Sequence, residues 1–169
     1  MKYEHIASLE SFLDRAESRL LSVDARVTIA YPASFVSPWN ADALTDENEG
    51  VLSRFSGSAS VYAIFTASAG SSESNLRYIG KTTRHLARGR IRNHLITKNE
   101  KTGAKLEEIR RHVISGGSVE ISWITIEPES LRGYVEEELI QRHREADWNR
   151  ENKNGRLPPA RRAQFPPRN

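Results

Sequence analysis

Two short β-rich segments separated by small polar residues constrain the fold of this chain more than any other feature. Val61–Thr66 (VYAIFT) and Leu76–Ile79 (LRYI) both have the composition of strands, and Gly80 follows the second. The nine residues between them, 67–75, are small or polar. Strands joined by a short connection of this kind pair as an antiparallel hairpin. We therefore expect a hairpin at the centre of the fold, with its second strand ending at Gly80.

The patterns that follow the hairpin predict two helices, a strand and a further helix. Apolar residues recur with helical spacing over residues 83–97 and 103–114, whereas Val119–Ile126 (VEISWITI) alternates and is β-branched. A last helix is predicted over residues 131–146. This order indicates an α+β fold in which helices flank a small, mainly antiparallel three-stranded sheet.

The residues before the hairpin form an N-terminal extension. A helix is predicted over residues 3–21 and a strand over Arg26–Tyr31. Residues 32–58 are rich in turn formers, which predicts a connector with one short helical turn. At the other end, proline and arginine dominate a segment without periodicity. The predicted parts are an extension, 1–58, a central domain, 59–152, and an extended tail, 153–169.

Composition excludes several classes of site. The chain has no cysteine, so a disulfide scaffold, a thiolate zinc site and a cysteine nucleophile are all ruled out. No stretch approaches the roughly 18 apolar residues of a membrane span, and the first residues lack the pattern of a secretory signal. We therefore expect a cytoplasmic protein without a membrane partner.

Charge is distributed in blocks. The net charge is only +3, but residues 81–112 contain ten Lys/Arg against three Asp/Glu, and residues 142–169 contain eight against three. Residues 113–141 between them are acidic. Basic blocks gain free energy on a polyanion by releasing its counterions, although solvated helix faces have the same composition. From charge alone, binding of nucleic acid by the basic blocks and their simple exposure to solvent are equal alternatives.

Five sequence elements, in order, resemble those of the GIY-YIG nucleases. Ser60–Tyr62 resembles the GIY element with Ser for Gly and Val for Ile, and Tyr78–Gly80 is a complete YIG. Arg90–His94 resembles an Arg-x-x-x-His motif, Glu136–Ile140 a Glu-x-x-Leu-Ile motif, and Trp148–Asn149 the closing Asn. The Arg-x-x-x-His and Trp-Asn elements are most similar to the restriction-endonuclease branch. The resemblance covers a little over half of the chain.

The resemblance implies a DNA endonuclease that uses one divalent metal ion, magnesium, with manganese as a substitute. Tyr62 would help to deprotonate the attacking water, and Tyr78 would position water or phosphate. Arg90 and His94 would hold the phosphate, and Glu136 would hold the metal.

The tyrosine roles conflict with what isolated strand tyrosines usually do. Such residues are ordinarily core residues with a hydroxyl at the edge. A phenol with a pKa of about 10 is also a weak base at neutral pH. We therefore expect Lys81 and the helix arginines to lower the pKa of Tyr62.

Three carboxylates, Glu136–Glu138, stand together on the last predicted helix. Acidic residues in the first turns of a helix suit its dipole without any further role. On a helical wheel Glu137 points away from the buried stripe, while Glu136 and Glu138 lie on its two flanks. The wheel does not choose between these two, and the family spacing selects Glu136.

The arginines of the first helix offer two candidates for the phosphate. Arg90 and His94 share a face and flank the apolar stripe, at the predicted boundary between core and solvent. Arg88 is the alternative, because in many family members the arginine follows the YIG glycine by eight residues. The remaining basic and amide side chains expected to contact phosphate or DNA are Lys81, Arg84, Arg88, Arg92 and Asn149.

Two alternatives to a restriction-type enzyme remain open. One is a nucleic-acid-binding module that keeps the fold and has lost its chemistry, for which the replaced GIY glycine is the one hint. The other is a nuclease of DNA repair, of a mobile element or of a toxin. A double-strand cut by an enzyme with one active site needs two copies, so a restriction-type role implies a homodimer.

Overall fold

The computed structural model describes residues 3–58, 60–97 and 105–153. The predicted tail beyond residue 153 and residues 103–104 of the second basic helix lie outside these ranges. The helices are α1 (Ile6–Leu21), α2 (Ala33–Val36), α3 (Ala41–Glu47), α4 (Glu49–Arg54), α5 (Ala87–Leu95), α6 (Leu106–Ile114), α7 (Leu131–Arg142) and α8 (Arg150–Lys153). The strands are β1 (Val27–Thr28), β2 (Ser60–Ala67), β3 (Asn75–Thr82) and β4 (Ser118–Thr125). In the part of the chain that the structure describes, no helix is long and apolar enough to span a membrane.

The strands form one antiparallel sheet with the order β1-β4-β2-β3. This confirms the predicted α+β class and the hairpin of β2 with β3. The extension supplies a fourth strand, because Val27 and Thr28 pair with Ile121 and Glu120 of β4. The long central strand β2 is buried along its whole length, and β3 lies at one edge of the sheet.

The sequence pattern predicted that the strand β3 ends at Gly80, and this prediction is wrong. The strand continues to Thr82, and Gly80 pairs with Tyr62 of β2. Glycine is used here for the space that it leaves and not to stop the strand. Because side chains alternate along a strand, Tyr78 and Gly80 face one side of the sheet and Ile79 and Lys81 the other.

A separate apolar core covers each face of the sheet. On one face, α1 and α7 pack against side chains such as Val61, Phe65 and Ile79. On the other, α5 and α6 pack with the short helices of the extension around Tyr62, Ile64 and other side chains. The two faces of the edge strand β3 therefore meet different helices.

The extension is more helical than its sequence predicted. Residues 32–58 contain three short helices instead of a connector with one helical turn. Their turn-forming residues act as caps: the Asn40 side chain accepts a hydrogen bond from the main-chain N–H of Ala43. The buried amide of Asn48 bonds both main-chain polar groups of Ala30 and the carbonyl of Leu44.

The helices predicted over residues 83–97 and 131–146 are both shorter than expected. The helix expected from residue 83 begins at Ala87, and the helix expected to reach residue 146 ends at Arg142. The residues after Arg142 instead fold back onto the edge of β3, where the N–H of Trp148 donates to the carbonyl of Arg77. This return closes the open edge of the sheet.

Candidate active site

A polar cleft of about 660 Å³ lies along the edge of β3, between the sheet and α7. Its walls come from β3, from α7 and α8, and from the residue before α6, so it opens where the two faces of the edge strand meet. The cleft is lined by Tyr78, Lys81, Lys105, Glu136, Glu137, Ile140, Gln141, Asn149, Arg150 and Glu151.

Behind the cleft, three predicted side chains form one hydrogen-bonded group. Oη of Tyr62 lies 2.9 Å from Nε2 of His94, and Nε of Arg90 donates to the same oxygen at 3.3 Å. Arg90 and His94 meet the tyrosine together because residues four apart share a helix face. The structure thus brings β2 and α5 together through Tyr62, which is completely buried.

The expectation that His94 lies at the boundary with solvent is wrong. Its side chain is 1% exposed, and burial lowers its pKa to about 3, with the cations of Arg90 and Lys105 acting in the same direction. The main-chain N–H of Lys105 donates to Nδ1 at 3.2 Å. The neutral ring must therefore carry its proton on Nε2 and donate it to Tyr62. In this arrangement both ring nitrogens of His94 have partners within the protein, and the ring orients the tyrosine.

The expectation of a lowered tyrosine pKa is also wrong. Burial raises the pKa of Tyr62 well above its ordinary value, and Tyr78 raises it further, while Arg90 offsets only part of this. Lys81 is not among the main causes of the pKa of Tyr62, and it projects from the other face of β3, where it pairs with Glu136. Burial also raises the pKa of Tyr78, although Arg90 lowers it in part. Both phenols are protonated at neutral pH in the free protein.

Tyr78 connects the buried group to the cleft. Its ring lies 6.1 Å from that of Tyr62 and 5.2 Å from that of His94, yet it lines the cleft. A hydrogen bond with Tyr62 acts to lower its pKa. The ammonium of Lys105 lies 5.3 Å from the centre of its ring, a distance at which a cation is attracted to the π face. Tyr78 is thus the tyrosine of the pair that a ligand in the cleft would meet.

The glycine of the YIG element makes room for both tyrosines. A Cβ atom at Gly80 would lie 2.7 Å from Oη of Tyr62 and 2.7 Å from Cε1 of Tyr78. Neither tyrosine could keep its position beside any larger residue. The Tyr-x-Gly spacing therefore has a steric cause, which the sequence pattern alone did not reveal.

Of the three neighbouring glutamates, Glu136 is the one that faces Lys81 in the cleft. Its Oε2 lies 2.5 Å from Nζ of Lys81, and its side chain is 14% exposed. Glu137 is exposed at the rim, and Glu138 is not part of the lining. The structure thus separates Glu136 from Glu138, which the helical wheel left equivalent.

The arginines of the basic segment differ in the partners that the described residues offer them. Arg84 forms ion pairs with Glu127 and with Glu129, and Arg88 forms one of 2.5 Å with Glu49 of the extension. Nε of Arg92 is buried without a hydrogen-bond partner within the described ranges. Of the two candidates for the phosphate, Arg90 contacts the tyrosine group, whereas Arg88 points towards α4.

Asn149 holds the edge of β3 through its side-chain amide. Oδ1 accepts from the N–H of Ile79 at 2.9 Å, and Nδ2 donates to the carbonyl of Ile79 at 2.8 Å. The side chain is buried and imitates the main chain of a neighbouring strand. This structural contact is sufficient to explain an Asn at this position without any contact to a phosphate. A DNA contact would have to use the second N–H of the amide.

Sequence reasoning missed the contribution of Lys105. Its main-chain N–H fixes the His94 ring, and its side chain lies over Tyr78. A residue that acts through its main chain leaves no signal in its side-chain type. Only the three-dimensional return of the chain from α5 to α6 could identify it.

One comparison with known proteins identifies the family of the chain. The family model of the GIY-YIG catalytic domain matches residues 58–152, more than half of the chain. No curated protein and no solved structure shows significant similarity to the chain. The matched range contains both tyrosines, the α5 pair, Glu136 and Asn149. The chain therefore belongs to the GIY-YIG family of nucleases.

Proposed function

We propose that this protein is a metal-dependent endonuclease that hydrolyses the phosphodiester bonds of DNA. The observation that carries the proposal is the grouping of Tyr62, Arg90 and His94 directly behind a polar cleft that Glu136 enters from the other side of β3. Phosphodiester hydrolysis requires that phosphate is bound, that a proton is transferred and that charge is stabilised by a cation. A guanidinium, two phenols and a carboxylate can meet these three requirements.

DNA is the proposed substrate because of the basic segment beside the site. The segment that carries Arg90 also carries Arg84, Arg88 and Arg92. The ion pairs of Arg84 and Arg88 lie at least partly in solvent, where such pairs are weak and can be exchanged for phosphate contacts. Contacts of this kind would supply affinity and register without reading sequence.

Arg90 is the proposed phosphate ligand. Its Nε is bonded to Tyr62, and the guanidinium also has a hydrogen bond with Tyr78, so the group is held in orientation and a phosphate would meet its remaining N–H groups. A planar guanidinium can hold two phosphate oxygens at once. Burial acts to lower the pKa of Arg90, but the neighbouring tyrosines raise it overall, and the group keeps its positive charge.

The tyrosine pair is proposed to take the proton of the attacking water, and because both phenols are protonated in the free protein, one of them must first release its own proton to solvent. Tyr78 lines the cleft, and Tyr62 lies behind it with two donors, Arg90 and His94, directed at its oxygen. Donors aimed at a phenol oxygen stabilise its anionic form, which offsets part of the cost of burial. His94 is then a positioning residue, because it acts through Tyr62.

The residues present fit a magnesium ion that is shared with the substrate. No group of three or more His, Cys, Asp or Glu side chains that could enclose a metal occurs in residues 3–58, 60–97 and 105–153. Magnesium, however, commonly uses one or two carboxylates together with waters and substrate phosphates. The ammonium beside Glu136 shows that this carboxylate accepts a cation. A bound ion would stabilise the charge that develops on the phosphate and its leaving oxygen.

The extension is proposed to support the central domain. We infer that residues 59–152 carry the chemistry and that residues 1–58 fix the helix α5. Oη of Tyr31 and Nε1 of Trp39 donate to the carbonyls of Leu95 and Ile96, each at 2.9 Å, at the C-terminal end of that helix. A role of the 153–169 tail in backbone contact rests on its arginines alone.

A restriction-type role is proposed on the resemblance of the Arg-x-x-x-His and Trp-Asn elements. Such an enzyme would cut both strands at a defined sequence and would act as a dimer. The test is incubation of a plasmid with the protein in magnesium, manganese and chelator. Discrete fragments that require the metal would support a sequence-specific enzyme, and nicking or smearing would support a repair or toxin nuclease. A folded protein that binds DNA and cuts in none of these buffers would contradict the proposal.

A further inference from the structure

The ion pair between Lys81 and Glu136 joins the two sides of the cleft. Lys81 projects from β3 and Glu136 from α7, with 2.5 Å between Nζ and Oε2. Gly133, one turn earlier on α7, leaves the helix surface open, so that Nζ lies only 3.8 Å from the place a Cβ would take there. The ammonium therefore rests against α7, on the carboxylate that is proposed to hold the metal.

The exposure of the two partners differs. The Lys81 side chain is 37% exposed and that of Glu136 is 14% exposed. The carboxylate is thus largely removed from water, and it would be costly to leave without a partner. The lysine has a flexible stem and a route into the cleft, which allows its ammonium to leave the carboxylate.

We propose that Lys81 is the resident counter-ion of Glu136, which a divalent cation must displace, and that the displaced ammonium moves to a DNA phosphate. This inference rests on the proposed function. The exchange replaces one ion pair by two, the carboxylate with the cation and the ammonium with the phosphate. Charge stays balanced only when cation and DNA arrive together, so each should strengthen the binding of the other.

The first consequence concerns the protein without DNA. A divalent cation alone must compete with Lys81 for the carboxylate and should bind weakly. Removal of the ammonium should strengthen cation binding by about tenfold, the size expected when one charged hydrogen bond no longer has to be broken. A general loss of positive charge from the cleft should have a much smaller effect.

The experiment measures Mn²⁺ binding to the DNA-free protein by the electron paramagnetic resonance signal of the free ion. The variants are Lys81→Met, Glu136→Gln, their combination, and Arg150→Met as a control that removes another cation of the cleft lining. We expect about tenfold tighter binding for Lys81→Met, loss of that gain in the double variant, and less than about twofold change for Arg150→Met.

A second titration adds a duplex whose phosphorothioate linkages resist hydrolysis, and the signal is read before cleavage occurs. DNA should tighten Mn²⁺ binding in the wild-type protein, and this coupling should shrink in Lys81→Met, because its ammonium is no longer there to transfer. Equal Mn²⁺ affinities of wild type and Lys81→Met would overturn the inference. If Mn²⁺ binding still depended on Glu136 and the wild-type protein still cut DNA, the proposed nuclease function would stand. Absence of both Glu136-dependent binding and cleavage would overturn the inference and the proposed function together.

Discussion

The Tyr62 hydroxyl and the His94 ring are joined by a buried 2.9 Å hydrogen bond in which the ring is the donor. The direction follows from the opposite ring nitrogen, which accepts the main-chain N–H of Lys105. The pKa of about 3 keeps the ring neutral, and the contact with Lys105 places its single proton on Nε2. The tyrosine oxygen is thus held as an acceptor for its neighbours.

The neutral state of His94 makes the stability of the protein depend on pH. Because its pKa is lowered from about 6.5 to about 3, its contribution is complete above pH 6.5 and is lost as the pH falls towards 3. The unfolded chain binds the proton in this window, and the slope from this group is about 1.4 kcal/mol per pH unit. Urea unfolding of wild type and His94→Gln at several pH values measures it. Equal slopes for both proteins would contradict a buried neutral His94.

Replacement of Tyr62 by Phe tests the role of its oxygen. The ring that packs the core is kept, whereas Arg90 and His94 lose their shared acceptor. We expect cleavage to fall by about 100-fold or more, with DNA affinity within about threefold of wild type. Cleavage rates and gel-shift affinities measured on the same preparations decide this. A wild-type cleavage rate in Tyr62→Phe would remove the tyrosine from the chemistry.

The space at Gly80 can be tested with a matched pair of variants. Gly80→Ala would force a Cβ against both tyrosines, which should cost about 1–3 kcal/mol of stability and most of the activity. Gly89→Ala is the control, since nothing lies within 4 Å of its Cβ position, and it should stabilise α5 by up to about 1 kcal/mol. Thermal melts and cleavage rates give both quantities. Similar behaviour of the two variants would show that the close approach at Gly80 has no role.

The amide of Asn149 can be altered by one atom. Asn149→Asp removes the donor to the Ile79 carbonyl and sets a carboxylate oxygen against it, which should cost about 2 kcal/mol or more. Asn93→Asp is the control: its Oδ1 would still accept from Thr97, and it should cost less than about 1 kcal/mol. Denaturant unfolding compares them. If both cost the same, the clamp on β3 is not what Asn149 contributes.

Elements with strong local patterns could be predicted from the sequence. The hairpin of β2 with β3, the strand β4 and the helices α5 to α7 follow from alternation, β-branching and helical spacing. Five motifs in order were sufficient for the family, because each fell on the expected kind of element. Helix ends were less predictable, since they depend on caps and tertiary contacts.

Features that depend on distant partners could not be predicted. Asn40 and Asn48 are residue types typical of loops, yet the Asn40 side chain caps α3 and the Asn48 side chain bonds Ala30, a partner that is visible only in the fold. The two apolar cores lie on opposite faces of the sheet, and Lys81 and Tyr62 are therefore on different sides of it. The same arrangement brought Lys81 to Glu136. The surroundings of His94 likewise come from distant parts of the chain, because its ring lies against Tyr62, Tyr78 and the main chain of Lys105.

We propose that Glu136 holds the metal ion of a DNA endonuclease. The most direct test measures how the cleavage of one duplex depends on magnesium for wild type, Glu136→Gln and Glu138→Gln. The two variants differ from wild type by the same charge. We expect Glu136→Gln to lose about 100-fold or more in rate and to remain folded, while Glu138→Gln, whose side chain lies outside the cleft lining, cuts at nearly the wild-type rate. Unchanged cleavage by Glu136→Gln, or an equal loss in both variants, would contradict the account.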